Sequence, residues 1–297
     1  IAIAGRHNIL LTGPPGTGKT MLAQAALNLL PELSREELLE VLKVNGLVEE
    51  VSPNISRPFR APHHTASKIS IIGGGSKAMP GEISLAHNGV LFLDEIPEFP
   101  KSILESLRQP LEDRKITVTR TNRKSSYPAN FMLIATMNPC PCGFYGDANK
   151  ECTCSLTQII NYQRKLSGPL MDRIDMVVNV NRIHNKDLIS SGSSSSSEHA
   201  NAKKQIEMSL KLQHKRYNCS NLYNSMIKSS DLKNKFSISP EAENLLNLAT
   251  SKLTLSARSY LKILKVSRTI ADLDSSKYIK PSHISEALQY RQKNDFQ

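Results

Sequence analysis

The run Gly13-Pro14-Pro15-Gly16-Thr17-Gly18-Lys19-Thr20 satisfies the G-x-x-x-x-G-K-T spacing of a phosphate-binding loop. Its chemistry is nucleotide binding. Glycines let backbone amides converge on phosphate oxygens, and the helix that follows turns its positive end on the same anion. Lys19 is expected to contact the β- and γ-phosphates of ATP, and the Thr20 hydroxyl to bind magnesium. A second acidic pair, Asp94-Glu95, follows the apolar run VLFL at 90–93. That puts both carboxylates at the C-terminal edge of a buried strand, where ligands bind in open α/β sheets. Asp94 is expected to hold magnesium through water, and Glu95 to act as general base on the water that attacks the γ-phosphate.

Three further residues belong with this chemistry. The strand FMLIAT (131–136) delivers Asn138 to the same edge, a neutral amide able to orient the attacking water. Arg173 lies in GPLMDRID just before the last strand, where it can reach a neighbouring subunit's γ-phosphate. Such arginine fingers raise rates roughly a thousandfold or more. Arg258, opening the helix ARSYLKILKV, can do a related job from the helical portion. For both arginines a surface salt bridge is an equal alternative.

Cys140-x-Cys142 and Cys152-x-Cys154 offer four thiolates around a nine-residue loop. Four soft ligands so close suit tetrahedral zinc, although C-x-C is tighter than the usual C-x-x-C. Free thiols or a redox pair are the alternatives. A metal here would stiffen the loop that follows Asn138. Cys219 stands alone. His63-His64, in a Pro-rich loop, reads as structural or phosphate-facing.

The elements that must position these residues follow from periodicity. Residues 8–12 (NILLT) read as a buried strand, and Lys19 to Leu30 as a helix ended by Pro31. Leu22, Ala25, Ala26, Leu29 and Leu30 define its apolar face. Residues 53–82 are rich in Pro, Gly, Ser and His and read mostly as loop, with room for one short strand. Pro100 to Glu112 reads as one helix. Residues 116–120 and 127–136 flank TNRKSS, a hairpin with a basic tip. FMLIAT and MVVNV (176–180) complete a set of apolar strands that alternate with helices. This pattern implies an α/β fold, a parallel sheet covered on both faces. The run SSGSSSSS (190–197) is low-complexity and expected to be a mobile connection. Beyond it 198–216, 240–251, 257–273 and 282–292 read as helices, with Ile263, Val266, Ile270 and Leu273 on one face of the third. The expected division is an α/β nucleotide-binding domain at 1–189 and a smaller all-helical domain at 190–297.

Composition fits this reading. The chain has 297 residues, 39% hydrophobic and 22% charged. Lys and Arg number 38 against 27 Asp and Glu, a net charge of +11, which favours a polyanionic partner, nucleic acid first. No apolar run approaches the ~20 residues of a membrane span. No basic and apolar leader opens the sequence, so a cytoplasmic setting without membrane contact is expected. The start at Ile1, almost directly before a strand, suggests an upstream domain.

GPPGTGKT, VLFLDE, ATMN, GPLMDRID and LSARSYLKILKVSRTIADL together resemble the AAA+ superfamily in its magnesium-chelatase-like branch. FRAPHHTAS, GGGSKAMPGEISLAHNGVLFLDEIPEF, MNPCPCG and CTCS are similar to its ComM/YifB-type subgroup, and the likeness runs over nearly the whole chain. The resemblance implies a three-layer αβα AAA+ domain followed by a helical lid. By it, Gly13 to Thr20 stand at Walker A, Asp94 and Glu95 at Walker B, and Asn138 at sensor 1. Arg173 stands at the arginine-finger position and Arg258 at sensor 2. It further implies a ring, usually hexameric, with ATP at subunit interfaces, and a DNA translocase, since ComM-type proteins promote branch migration as transforming DNA is integrated. Full-length members carry an N-terminal Lon-protease-like domain that this sequence lacks. Ser67 to Pro80, with Lys68 and Lys77 around Gly73, Gly74 and Gly75, matches the helix-2 insertion of this branch. Arg120, Arg123 and Lys124 match the tip of its pre-sensor-1 hairpin. Both are candidate phosphate contacts for single-stranded or branched DNA. A chelatase-type ATPase that remodels a partner enzyme, or an ATP-gated scaffold, are the competing expectations.

Overall fold

The computed structural model describes residues 1–48, 56–75, 77–120, 123–182 and 195–292. The chain divides into two compact units. One is Leu10–Ile174 with Asn179–Arg182; the other is Ile1–Ile9, Asp175–Val178 and Ile183–Gln297.

Helix α1 (Ala2–Gly5) precedes strand β1 (Ile9–Thr12), helix α2 (Lys19–Leu29) and helix α3 (Arg35–Asn45). Next come β2 (Phe59–Arg60), α4 (Lys68–Ile72), the short hairpin of β3 (Gly73–Gly74) and β4 (Met79–Pro80), α5 (Glu82–Leu85) and β5 (Val90–Leu93). Helices α6 (Lys101–Ser106) and α7 (Arg108–Asp113) lead into β6 (Lys115–Arg120), β7 (Arg123–Pro128) and β8 (Met132–Met137). Helices α8 (Leu156–Gln163) and α9 (Gly168–Met171) precede β9 (Met176–Asn179). Beyond it the described residues hold the helices α10 (Ser195–Tyr217), α11 (Leu232–Lys235), α12 (Pro240–Lys252), α13 (Ala257–Leu273) and α14 (Pro281–Gln289).

Five strands form one sheet of order β2-β5-β8-β1-β9. β2 pairs parallel with β5, and β5 parallel with β8 in a register that sets Leu93 opposite Ala135. β5 and β8 are buried along their whole length, as apolar strands covered on both faces must be. The α/β class read from the sequence is the class found, with a helical region C-terminal to it. Among the described residues no helix is long and apolar enough to cross a membrane.

Several local expectations need correction. The buried side of α2 runs through Lys19 and Ala23; of the face expected from spacing, Leu30 just after the helix is buried, whereas Leu22 is 49% exposed and Ala25 is exposed too. Apolar residues surround this helix, so spacing alone could not fix its phase. The described residues of 53–82 hold the short helix α4 and the start of a second, α5, that the loop reading did not foresee. Ser67 caps α4 by accepting the Ser70 N–H at 3.1 Å, and β3 pairs with β4. The expected helix over 100–112 is two helices broken at Leu107, because the Pro110 ring cannot sit behind a continuing helical turn. The hairpin is β6 with β7, and the tip residues 121 and 122 lie outside the described residues. Residues 190–194 of the Ser-rich run also lie outside them, whereas α10 already begins at Ser195.

The second unit packs α12, α13 and α14 around Leu246, Ile263, Val266, Ile270 and Ile284. Beside this core runs a polar network absent from the sequence reading. The buried Asp272 accepts from Arg216 Nη1 at 2.8 Å, pairs with Arg268 Nη2 at 3.0 Å, and accepts from Asn224 Nδ2 at 2.9 Å. Asn224 also donates to Thr269 Oγ1 at 3.0 Å, which lies 2.7 Å from His7 Nε2. Gln213 Nε2 donates to the Ala4 carbonyl at 2.9 Å. Buried polar atoms need such partners, and here they come from stretches far apart in sequence.

Candidate functional site

The phosphate loop joins β1 to α2. Gly16 and Gly18 both hold φ of 78°, in the left-handed region that favours glycine. Gly13 is required for a different reason: a Cβ there would meet the Val180 carbonyl oxygen at 2.2 Å. The N-cap of α2, Gly18, supplies no side-chain hydrogen bond, and no acidic residue stands in the first turn. Helices α3, α8, α12 and α13 are instead capped by serine hydroxyls. An uncapped positive helix end with a lysine as its first residue is unfavourable by itself and suited to an anion. The buried Lys19 ammonium donates to the Gly13 carbonyl at 2.7 Å, the Pro14 carbonyl at 2.8 Å and Asn138 Oδ1 at 3.2 Å. Burial lowers its pKa, opposed by the Asp94 and Glu95 carboxylates.

The acidic side of the site sits on the ends of β5 and β8. Thr20 Oγ1 donates to Asp94 Oδ2 at 3.2 Å. Asp94 Oδ1 accepts from Thr136 Oγ1, which in turn accepts the Glu95 N–H at 2.9 Å. The parallel register explains this trio, since Thr136 falls opposite Asp94 one step beyond Leu93 and Ala135. Glu95 holds φ of 49°, uncommon for a residue with a side chain, and its carboxylate is exposed. Two adjacent oxygens, from Thr20 and Asp94, form a donor pair that fits a hard cation such as magnesium.

The four cysteines of 140–154 do meet. Their sulfurs all lie within 4.8 Å of one another. Cys140 Sγ is 3.3 Å from Cys142 Sγ and 3.6 Å from Cys152 Sγ, and Cys142 and Cys152 are 3.5 Å apart. Zinc–sulfur bonds of about 2.3 Å in a tetrahedron give S···S edges of about 3.8 Å, so the donor set fits zinc. Backbone N–H groups of Tyr145 and Cys142 point at Cys140 Sγ (3.3 Å) and Cys154 Sγ (3.4 Å). The Phe144 N–H, helped by that of Thr153, holds the Cys142 thiol down to about 5 against burial. For Cys152 the Cys154 N–H favours the thiolate, but burial and the adjoining Cys142 and Cys140 push it up to about 12. Four neighbouring thiols cannot all ionise without a cation among them.

A family model described as magnesium chelatase, subunit ChlI, matches residues 1–188, and one for the ChlI C-terminal region matches residues 195–291. The chain belongs to the magnesium chelatase family. This chelatase-family chain is 44% identical over 296 residues to competence protein ComM of Haemophilus influenzae. It is 43% identical over 298 residues to the uncharacterized protein YifB of Escherichia coli. Each match covers 98% of this chain and 57% of the relative, so the chain spans little more than half the length of these proteins. It is 26% identical over 156 residues to magnesium-chelatase subunit ChlI of Euglena gracilis, covering 44% of this chain and 45% of that protein. Fold and relatives together make it an AAA+ ATPase-like protein of the ComM/YifB type.

Within this chelatase-family site the structure brings Lys19, Thr20, Asp94 and Asn138 together, with Glu95 beside them. Arg173 is engaged elsewhere in the same unit. Its Nε donates to the Arg108 carbonyl at 3.1 Å, its Nη1 to the Pro169 carbonyl at 2.6 Å, and its Nη2 pairs with Glu112. It lines an open cleft of about 410 Å³ with Glu105, Arg108, Gln109, Glu112 and Asp113. Arg258 is the second residue of α13, in the other unit. Lys68 and Lys77 are exposed, and Arg120 pairs with Arg123 on the last described rung of the hairpin. Tyr127 of that hairpin donates its hydroxyl to the Ala78 carbonyl at 2.6 Å, joining the two basic segments. Sequence reasoning missed Thr136, Tyr127 and Glu112, whose roles depend on register and on contacts between distant segments.

Proposed function

We propose that this chain is the ATP-hydrolysing part of a DNA-translocating ring. The observation that carries the ATPase reading is the convergence of Lys19, Thr20, Asp94 and Asn138 at the uncapped end of α2. ATP is held by the amides of Gly13 to Thr20 and by Lys19, which exchanges its loop carbonyls for phosphate oxygens. Thr20 and Asp94 hold magnesium, which when bound supplies charge neutralisation at the β- and γ-phosphates. Glu95, exposed beside them, takes the proton of the attacking water, and Asn138 orients that water. Arg173 acts in trans on the next subunit's γ-phosphate after leaving Glu112, and Arg258 contributes from a helical lid. Residues 1–189 serve as the AAA+ domain and 190–297 as the lid, in a hexameric, cytoplasmic assembly. Cys140, Cys142, Cys152 and Cys154 hold a structural zinc ion.

The DNA reading rests on charge. The unit containing α10 to α14 has 19 Lys and Arg against 11 Asp and Glu, an excess of eight, while the other unit has 19 against 16, an excess of three. Lys68, Lys77 and the hairpin residues Arg120, Arg123 and Lys124 add a second basic region, tied together by Tyr127. Few aromatic residues accompany these cations, so the contacts are to phosphates and not stacked bases. The name of the Haemophilus relative, a competence protein, agrees with work on transforming DNA and its branch migration or recombination. The match to ChlI over both regions favours a second reading, an ATPase that remodels a partner enzyme during metal insertion.

ATP hydrolysis measured across protein concentration, with and without single-stranded or branched DNA, separates them. Turnover that rises with concentration and with DNA, and fades as salt releases the DNA, supports the translocase. Hydrolysis indifferent to DNA refutes it and leaves the chelatase-type reading.

A further inference from the structure

The thiol cluster and the phosphate loop touch. A Cβ on Gly143, the residue after Cys142, would lie 2.7 Å from Pro15 Cδ and 3.2 Å from Pro15 Cγ. Gly143 also holds φ of 87°, so its position is doubly reserved for glycine. Its N–H donates to the carbonyl of the fully buried Cys140 at 3.0 Å. The segment leading into the cluster makes two more contacts with the loop. Met137 O accepts the Gly13 N–H at 3.2 Å, and Asn138 Oδ1 accepts from Lys19 Nζ at 3.2 Å. Pro139 O is held by Gln163 Nε2 at 3.0 Å, so the connecting turn is pinned from behind by α8.

We infer that zinc held by the four cysteines is a positioning cofactor for ATP binding, acting through Gly143 on Pro15 and through Asn138 on Lys19. The inference rests on the zinc and ATP readings above and adds a link between them. Zinc closes the 140–154 turn with four bonds to sulfur. Without a cation the turn relies on weak N–H···S contacts, from Tyr145 to Cys140 and from Cys142 to Cys154. Loosening that turn moves Gly143 away from Pro15 and lets the phosphate loop open. The sulfurs act at one remove, as groups behind a binding site orient the groups that touch ligand.

The test uses the full chain and two readouts: zinc content, and affinity for a fluorescent ATP analogue. Wild type is compared with protein stripped by a chelator, with Gly143→Ala, and with the double variant Gly143→Ala, Pro15→Ala. The expected result is about one zinc per wild-type chain. Gly143→Ala keeps its zinc but loses nucleotide affinity on the order of 10- to 100-fold, the loss typical of groups that support a site from behind. Chelation weakens nucleotide binding likewise. Adding Pro15→Ala restores part of the loss, because it removes the ring atoms that the new methyl meets; a general folding defect would not be rescued this way. Unchanged affinity in both the stripped protein and Gly143→Ala, with zinc present in wild type, overturns the inference and leaves the zinc and ATP readings standing. Wild-type protein that is metal-free with four titratable thiols overturns the zinc reading, and with it this one. If Gly143→Ala does not fold, judged by its melting curve, the chelator comparison decides.

Discussion

Thr136→Val should slow ATP turnover while leaving nucleotide binding nearly intact. Thr136 is fully buried, and valine keeps its shape. The substitution removes the hydroxyl that donates to Asp94 Oδ1 and the oxygen that accepts the Glu95 N–H. A hydrogen bond to a charged group contributes about 1.5–3 kcal/mol, and a buried donor left without a partner costs about 1–3 kcal/mol. Asp94 is exposed, so water recovers part of the first loss. The Glu95 N–H is the larger concern. It anchors a residue whose left-handed backbone costs on the order of 1–3 kcal/mol and persists only when its surroundings hold it. A misplacement of Glu95 worth about 2 kcal/mol in the transition state corresponds to a fall in kcat of roughly 10- to 100-fold. Steady-state hydrolysis, run beside binding of a fluorescent nucleotide and a melting curve, reads this directly. Thr136→Ser should recover most of the rate. Wild-type turnover by Thr136→Val would refute the reasoning, and a parallel loss of nucleotide affinity would move Thr136 from positioning Glu95 to shaping the phosphate loop.

Other outcomes follow from the same geometry. Lys19→Ala should abolish nucleotide binding, checked by equilibrium titration; unchanged affinity would remove Lys19 from the site. Glu95→Gln should bind ATP normally and fail to hydrolyse it, and near-normal hydrolysis would exclude Glu95 as the base. Arg173→Ala should keep nucleotide binding and lose hydrolysis by roughly a thousandfold, whereas Glu112→Ala should retain it; equal losses would mark the pair as structural. Burial works against the Asp175 carboxylate, but the hydrogen bond and charge of His7 and the Asn8 N–H at 2.9 Å outweigh it and hold its pKa below the usual value. A depressed carboxylate adds stability above its unfolded pKa of about 4 and loses it as pH falls through the folded value. The urea midpoint of the helical unit should therefore drop below about pH 4, and Asp175→Asn should flatten that dependence; an identical slope in the variant would refute the assignment.

The phosphate loop, the Asp94-Glu95 edge and the four cysteines were legible because each is a pattern of near neighbours whose chemistry dictates its spacing. VLFL and FMLIAT were legible as buried strands because continuous apolar runs have few other homes. What escaped were facts of register and phase. Thr136 became visible only once β5 and β8 paired, and α2 presents apolar residues on too many sides for spacing to choose its inner face. Pro110 did carry a signal, and a stricter reading of it would have divided the helix over 100–112. The Tyr127–Ala78 bond and the Asp272 network join residues 49 and 48–56 positions apart, which no local pattern encodes.

The helical unit joins residues 1–9 to residues far later in the sequence, and that sets an order of events during synthesis. Residues 1–9 leave the ribosome ahead of the rest of their unit, yet Gln213 and Thr269, the partners of Ala4 and His7, come more than 200 residues later. At 5–20 residues per second the opening stretch waits roughly 10 to 50 s for them. All of Leu10–Ile174 has emerged by then and can fold around its own strands. The helices that meet α1, α10 and α13, are thus translated long after it, and a nascent chain stalled before α13 would leave Ile3 and Ala4 open to chaperones and proteases.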